Sequence, residues 1–275
     1  MNDMLLRGST AVITGAGSGI GRGIASALAR RGCNLALADV NASGLEQTAT
    51  LLSDAGVRVS THNADVADRA SVASLPDAVM AQHPGVDLLI NNAGVAIGGR
   101  FEQVSEADFE WLFEINFWGV VRMTRAFLPL LRQSRDARIT NLSSVWGLLA
   151  PAGQVPYSAS KFAVRGFSEA LRHELANTHI GVSVVHPGGV STAIADSARH
   201  PAELPAEEVK RRRAAVNRQL RMPPERAGEI IVRGIERRKS RILVGSDARA
   251  IAVMARLVPV SYWKLLGPRV SSRRE

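Results

Sequence analysis

The chain has 275 residues, of which 46% are apolar and 21% charged, the composition of a folded globular protein and not of a disordered or fibrous one. No segment repeats at a solenoid period, which excludes repeat architectures. The net charge of +9 is uneven: residues 1–198 hold 15 Lys+Arg and 17 Asp+Glu, for −2, whereas residues 199–275 hold 19 and 8, for +11. Because Arg outnumbers Lys 30 to 4, a general use of Arg in exposed positions accounts for the basic quarter as well as an anion-binding patch does.

The sequence opens MNDMLLRGSTAVITG, with no apolar core of signal-peptide length, so a cytoplasmic location is expected. The most apolar run, Ala250 to Val260, is cut by Arg256 and Pro259 and falls short of the roughly 18–20 residues that span a bilayer. A lone Cys33 allows no internal disulfide, and the histidines show no metal-ligand spacing, so no metal is expected.

Short apolar runs alternate with amphipathic stretches in chain order. Thr10 to Thr14 reads as a strand, Ile20 to Arg30 as a helix, Asn34 to Asp39 as a strand and Ser43 to Asp54 as a helix. The pattern continues with Val57 to His62, Arg69 to His83, Val86 to Ile90, Glu106 to Leu131, Arg138 to Leu142, Tyr157 to Asn177 and Val182 to Val185. Strands alternating with helices predict an α/β fold: a doubly wound parallel sheet of about seven strands with helices on both faces. One domain over 1–245 is expected, followed by a basic and apolar extension, 246–275, packed upon it. Ser191 to Met222, polar, Arg-rich and helical in periodicity, reads as a lid over the carboxyl edge of the sheet. A helix over Pro224 to Arg238 and a strand over Arg241 to Val244 follow.

The first strand runs into Thr14-Gly15-Ala16-Gly17-Ser18-Gly19-Ile20-Gly21 and then a helix. Glycines there let backbone amides approach a pyrophosphate, and the helix amino terminus adds partial positive charge. Asp39 ends the second strand 20 residues past Gly19, where a carboxylate accepts hydrogen bonds from an adenosine ribose and repels a 2′-phosphate. Neither Ser18 nor Val40 is basic, so NAD is expected in preference to NADP; an ordinary strand-end turn is the other role open to Asp39.

Tyr157 and Lys161 stand four apart on one helix face. Lys161 is the only lysine among the first 209 residues of a chain that otherwise uses Arg, so a compact ammonium looks chosen for chemistry. Thirteen residues upstream of Tyr157, Ser144 follows the fifth strand and can face the same pocket.

With these residues the chain resembles the short-chain dehydrogenase/reductase family, over about Leu6 to Thr192. The likeness also takes in Asn91-Asn92-Ala93-Gly94, Asn116 and Pro187-Gly188. It implies an oxidoreductase with Tyr157 as general acid/base, its phenolate favoured by Lys161 and the oxidised nicotinamide. Ser144 would orient the carbonyl oxygen, Lys161 also bind the nicotinamide ribose, and Asn116 hold a water of a proton relay. Gly15, Ser18, Gly19, Ile20, Gly21 and Asp39 would hold the adenosine and phosphates, with Asp65 and Val66 at the adenine. Asn92 would meet the ribose side and Thr192 the carboxamide, with Ala93, Gly94, Pro187, Gly188 and Val190 also at the cofactor. Ser143 is expected to be structural.

The loop Trp146 to Val155 carries no Lys or Arg, so the substrate is expected to be an uncharged hydrophobic secondary alcohol or ketone met by Ser144, Trp146, Gln154 and Tyr157. Packing of Trp146, Leu148 and Leu149 against the lid is the other account of that loop. An NADP-dependent carbonyl reductase and a non-catalytic NAD(H)-binding regulator are the alternative functions.

Nucleic acid is not expected as a partner, because no aromatics interleave with Lys210 to Arg213 and Glu203, Glu207 and Glu208 dilute the patch. The wide apolar face of the Tyr157 helix predicts a homodimer or homotetramer. The extension is expected to pack on the protein or on a neighbouring subunit, with peripheral contact to an anionic membrane as the alternative.

Overall fold

Alternation along the strands decides how the layers form. In β1 (Thr10–Thr14) Ala11 and Ile13 enter one buried apolar cluster and Val12 enters another, and in β2 (Asn34–Asp39) Leu35 and Leu37 oppose Ala36 and Ala38 in the same way. Strands that are apolar on both faces must be covered on both. The computed structural model describes residues 3–264, and there the cover is supplied by α1 (Gly19–Ala29) and α2 (Ala42–Leu51) on one face and α3 (Arg69–Met80) on the other.

The remaining strands are β3 (Val59–Asn63), β4 (Leu88–Asn91), β5 (Ala137–Leu142), β6 (Ile180–Pro187) and β7 (Arg241–Val244). They form one parallel sheet in the order β3-β2-β1-β4-β5-β6-β7. Val12 pairs with Ala36 on one side and Leu89 on the other. The chain thus reverses its direction of travel across the sheet between β1 and β4, and at such a switch point the crevice beyond the carboxyl ends of the strands is open to a ligand.

The helices after β4 are α4 (Glu106–Phe113), α5 (Gly119–Leu131), α6 (Val155–Glu174), α7 (Ala206–Asn217), α8 (Pro224–Glu236) and α9 (Ser246–Leu257). Helix α8 shares a face with α1 across Gly23 and Gly228, where a Cβ on Gly228 would lie 2.2 Å from the Gly23 backbone. Arg31 spans the same seam, to Glu229 at 2.8 Å and Glu236 at 2.7 Å, and holds the Glu229 carboxyl down at about 2.

Two expectations from the sequence differ from the structure. The single helix over Glu106 to Leu131 is divided by a π-helical segment, Glu114–Trp118, whose wider turn carries Asn116 into the interior. No Gly or Pro marks the place; the compensation is tertiary, since the Asn116 amide bonds both the N–H and the carbonyl of Val95. The segment 191–222 is helical only over Ala206–Asn217, because Pro201 and Pro205 interrupt the earlier stretch. That stretch instead makes isolated bridges, Ile97 to Arg199 and Val190 to Met222.

The carboxyl extension touches the domain through buried Ala248 and through the Tyr262 hydroxyl, which donates to the Ala150 carbonyl at 3.2 Å. Val253, Leu257 and Val260 remain 57%, 72% and 90% exposed. The rest of the extension expected to pack on the protein, residues 265–275, lies outside the described residues. Among those described, no helix is long and apolar enough to cross a membrane.

Candidate active site

Thr14 joins the two strands that flank the switch point. Its hydroxyl accepts from the amides of Asn92 (3.0 Å) and Ala93 (3.1 Å), while the Asn92 side chain donates back to the carbonyls of Thr14 (2.9 Å) and Gly15 (3.0 Å). The glycine turn follows with Gly15 at φ +65° and Gly19 at φ +50°, a left-handed region that disfavours any side chain. Ser18, at the N-cap of α1, makes no side-chain cap, so the first-turn amides of Gly19, Ile20 and Gly21 keep their hydrogen-bonding capacity for an anion.

Asp39 lies beside this cradle: Oδ2 accepts from the Gly17 amide at 2.8 Å and Oδ1 from Asn41 at 2.9 Å. The carboxylate therefore braces the turn as well as ending β2. Sequence reasoning missed Arg22, whose guanidinium donates to the carbonyl of Gly17 (2.5 Å), to Gln47 (3.2 Å) and to Thr48 (2.9 Å). A cation does stand near the turn, but these bonds hold it to the loop itself. Thr192 reaches over from the lid, its Cγ2 3.0 Å from where a Gly19 Cβ would be. Asp65, exposed, accepts from Ala67 at 2.8 Å, and neighbouring Val66 is buried against Gly119. Pro187 ends β6, Gly188 bonds to the Val244 carbonyl, and Val190 is buried. Every one of these positions lies at the carboxyl end of a strand or in the segment that follows it.

The second cluster forms where β5 meets α6. Tyr157 and Lys161, one turn apart on α6, are both buried, and the ammonium Nζ lies 5.6 Å from the phenol ring centre. Nζ donates to the Leu142 carbonyl at 3.1 Å. Ser144 accepts from the Trp146 amide at 3.1 Å, and its hydroxyl stands near enough to the Tyr157 phenol to ease its ionisation. Asn116 reaches α6 through Ser160 at 3.2 Å. A Cβ on Gly94 would stand 3.1 Å from Asn116 Oδ1 and 3.3 Å from Lys161 Nζ, so the segment after β4 meets both. Ser143 binds the Lys161 carbonyl at 2.8 Å, a helix-fixing contact.

Burial pushes the Tyr157 phenol up, and the Ser144 hydroxyl opposes that rise. Burial brings the Lys161 ammonium down to about 8, so two groups that titrate close together in water are driven apart, each toward its uncharged form. Around Tyr157 lie Ile97, Leu112, Val95, Ala96, Trp146 and Ile194, an apolar wall. Leu148 and Leu149 are buried and pack rather than line it; Gln154 holds the N-cap position of α6 with its side chain making no capping bond. Among the described residues no group of three His, Cys, Asp or Glu is placed to hold a metal.

Sequence reasoning also missed His186 and Asn141. His186 Nδ1 donates to the Ser144 carbonyl at 2.9 Å, and Asn141 links Asn91 (2.8 Å) to Ser168 (2.9 Å) across β4, β5 and α6. Neither lies in a local motif; only the pairing of β4, β5 and β6 brings them together.

The chain matches the family model for short chain dehydrogenases over residues 9–203. It belongs to the short chain dehydrogenase family. The oxidoreductase SadH of Mycobacterium tuberculosis is 42% identical over 267 residues, covering 96% of each chain. A family member from Burkholderia phymatum, solved with NAD, is 34% identical at a TM-score of 0.85, covering 92% of this chain and 94% of its own. A Mycobacterium paratuberculosis dehydrogenase solved with NAD is 26% identical at a TM-score of 0.76, over 88% of this chain and 97% of its own. This dehydrogenase is accordingly an oxidoreductase with NAD-bound structural relatives.

Burial, aided by the nearby cations Arg241 and Arg165, lowers His186 to about 4, against the Ser144 carbonyl, which favours the charged ring. Below the ordinary pKa near 6.5 the unfolded chain takes up a proton that the folded chain refuses. The stability is therefore fully present above that value and lost as pH falls toward 4, at about 1.4 kcal/mol per unit. Urea midpoints of wild type and His186→Asn should converge between pH 7 and 5, with wild type losing more; a constant gap would contradict a neutral His186.

Proposed function

We propose that this dehydrogenase transfers a hydride between NAD(H) and a hydrophobic secondary alcohol or ketone, NAD supplying the acceptor when bound, with Tyr157 as general acid/base. The observation that carries this is the joint burial of Tyr157, Lys161 and Ser144 beyond the end of β5, beside an uncapped glycine turn that fits a dinucleotide pyrophosphate.

Each side chain has a stated part in the reaction. The Tyr157 oxygen removes the alcohol proton, or returns it in the reverse direction, and the nearby Lys161 ammonium lowers the cost of the phenolate form. The Ser144 hydroxyl, already within reach of the phenol, donates to the carbonyl oxygen and orients it. Asn116, anchored on Val95 and Ser160, keeps its segment against Lys161 and lies where a relay water would serve that ammonium. The wall of Ile97, Trp146 and Ile194 excludes water and favours an apolar substrate body.

For cofactor choice, the Asp39 carboxylate beside Gly17 would repel a 2′-phosphate, and the hydrogen bonds of Arg22 commit it to the turn. NAD is the cofactor of this reading.

Two measurements check it. Tyr157→Phe should fold and bind NADH yet keep under about a tenth of wild-type turnover on any accepted ketone; greater activity would remove Tyr157 from the acid/base role. Wild type should turn over faster with NADH than with NADPH, and Asp39→Ala combined with Val40→Arg should move that preference toward NADPH by about tenfold or more. A wild type that prefers NADPH contradicts the role given to Asp39.

A further inference from the structure

The lid carries polar groups that the fold leaves short of partners. The Nε of Arg213 and the ring nitrogens of His200 are buried without a well-formed hydrogen bond, the Gly98 backbone being the group that bears on the His200 ring, and polar groups left short in this way call for a ligand or another explanation. The two side chains converge on one segment. Arg213, on α7, reaches the Ala198 carbonyl with Nη2 at 3.4 Å, two residues before His200.

His200 in turn stands beside the segment that follows β4. Its segment is stitched to the one after β4 by the Ile97 to Arg199 bridge and by the Gly98 amide on the Arg199 carbonyl at 3.0 Å. A Cβ on Gly98 would lie 3.2 Å from His200 Cε1 and 4.0 Å from Gln154 Nε2. Ile97 packs in the cluster that contains Tyr157, and Gln154 precedes Tyr157 by three residues.

The local charge is positive. Arg213 and Arg212 both act on His200, and no carboxylate does. The nearby acids are engaged: Glu208 with Arg211 and Arg212, and Asp196 with Asn217 at 2.8 Å. A cavity of about 560 Å³ opens beside Arg213, lined also by Lys210, Val209, Asn217 and the single carboxylate Asp196, so two cations face it against one acid. Unmade N–H donors in a positive field suit an anion.

We propose that His200 and Arg213 form an anion-accepting subsite on the lid, which takes a carboxylate at the end of the substrate remote from the reacting carbon. This rests on the hydride-transfer reading of Tyr157 and refines its substrate: an apolar body against Ile97 and Trp146, and an acidic end on the lid. The loop from Trp146 to Val155 lacks a cation, and α7 brings one from far along the chain. His200 donates one ring N–H to the carboxylate and Arg213 donates Nε–H.

Calorimetry on the full-length protein with NADH tests this, using straight-chain carboxylates from butanoate to dodecanoate and the primary alcohols of equal length. At least one carboxylate should bind about tenfold or more tighter than its matching alcohol. His200→Gln and Arg213→Met should each remove most of that advantage while leaving NADH affinity, which reports on folding, and alcohol affinity within about twofold. Tyr157→Phe should bind the carboxylate as wild type does. A Tyr157→Phe enzyme that remains active but keeps acid-selective binding defeats the acid/base assignment alone. Equal affinity for acid and alcohol in wild type, or variants that lose both ligands alike, overturns the subsite.

Discussion

Burying an ammonium strips it of water, and the loss is tolerated only where protein groups and a matched partner replace that water. Lys161 is 4% exposed, and the Leu142 carbonyl is its hydrogen-bond acceptor. Much of the surrounding structure bears on this one side chain. The end of β5 presents Leu142, the Ser143 hydroxyl fixes the Lys161 carbonyl, and Gly94 leaves room for the ammonium because a Cβ there would crowd it. The π-helical turn at Glu114–Trp118 brings Asn116 to the same place. Burial lowers Lys161 and raises Tyr157, favouring the uncharged form of each, so any phenolate at Tyr157 depends on the positive charge placed beside it.

The cofactor half of the site depends on a different economy of hydrogen bonds. Thr14 and Asn92 satisfy each other's backbone across β1 and β4, and Asp39 and Arg22 hold the two polar faces of Gly17. With the turn held from outside, the amides at the start of α1 have no protein cap and remain directed to an anion. The residues that look most like ligand contacts in the sequence, Asp39 and Asn92, are also the braces of the loop. Their substitution therefore alters the cradle as well as any direct contact with the ligand.

Much of this was legible in the sequence because it is local. Strand patterns such as Thr10–Thr14 and Asn34–Asp39 fix two apolar faces within a few residues, and the glycine turn and the Tyr157 to Lys161 spacing are each contained in one short segment. What escaped is what only the pairing of strands creates. Asn141 and His186 acquire partners when β4, β5 and β6 align, and Arg22 finds Gly17 and Thr48 only after α2 has docked. The π-helical turn has no composition of its own, since its stabilising bonds lie with Val95. The segment 191–222 is less helical than its periodicity suggests because charge periodicity persists through Pro201 and Pro205, where the backbone cannot follow it.

The central claim is that a buried Lys161 makes Tyr157 the proton acceptor of alcohol oxidation, and the pH profile of kcat/KM tests it most directly. In wild type the rate of NAD-dependent oxidation should rise with pH to a plateau through one inflection, and in Lys161→Met, which lacks the ammonium beside the phenol, that inflection should move up by about one unit or more. An inflection at the same pH in both enzymes, or an oxidation rate independent of pH, would contradict the account.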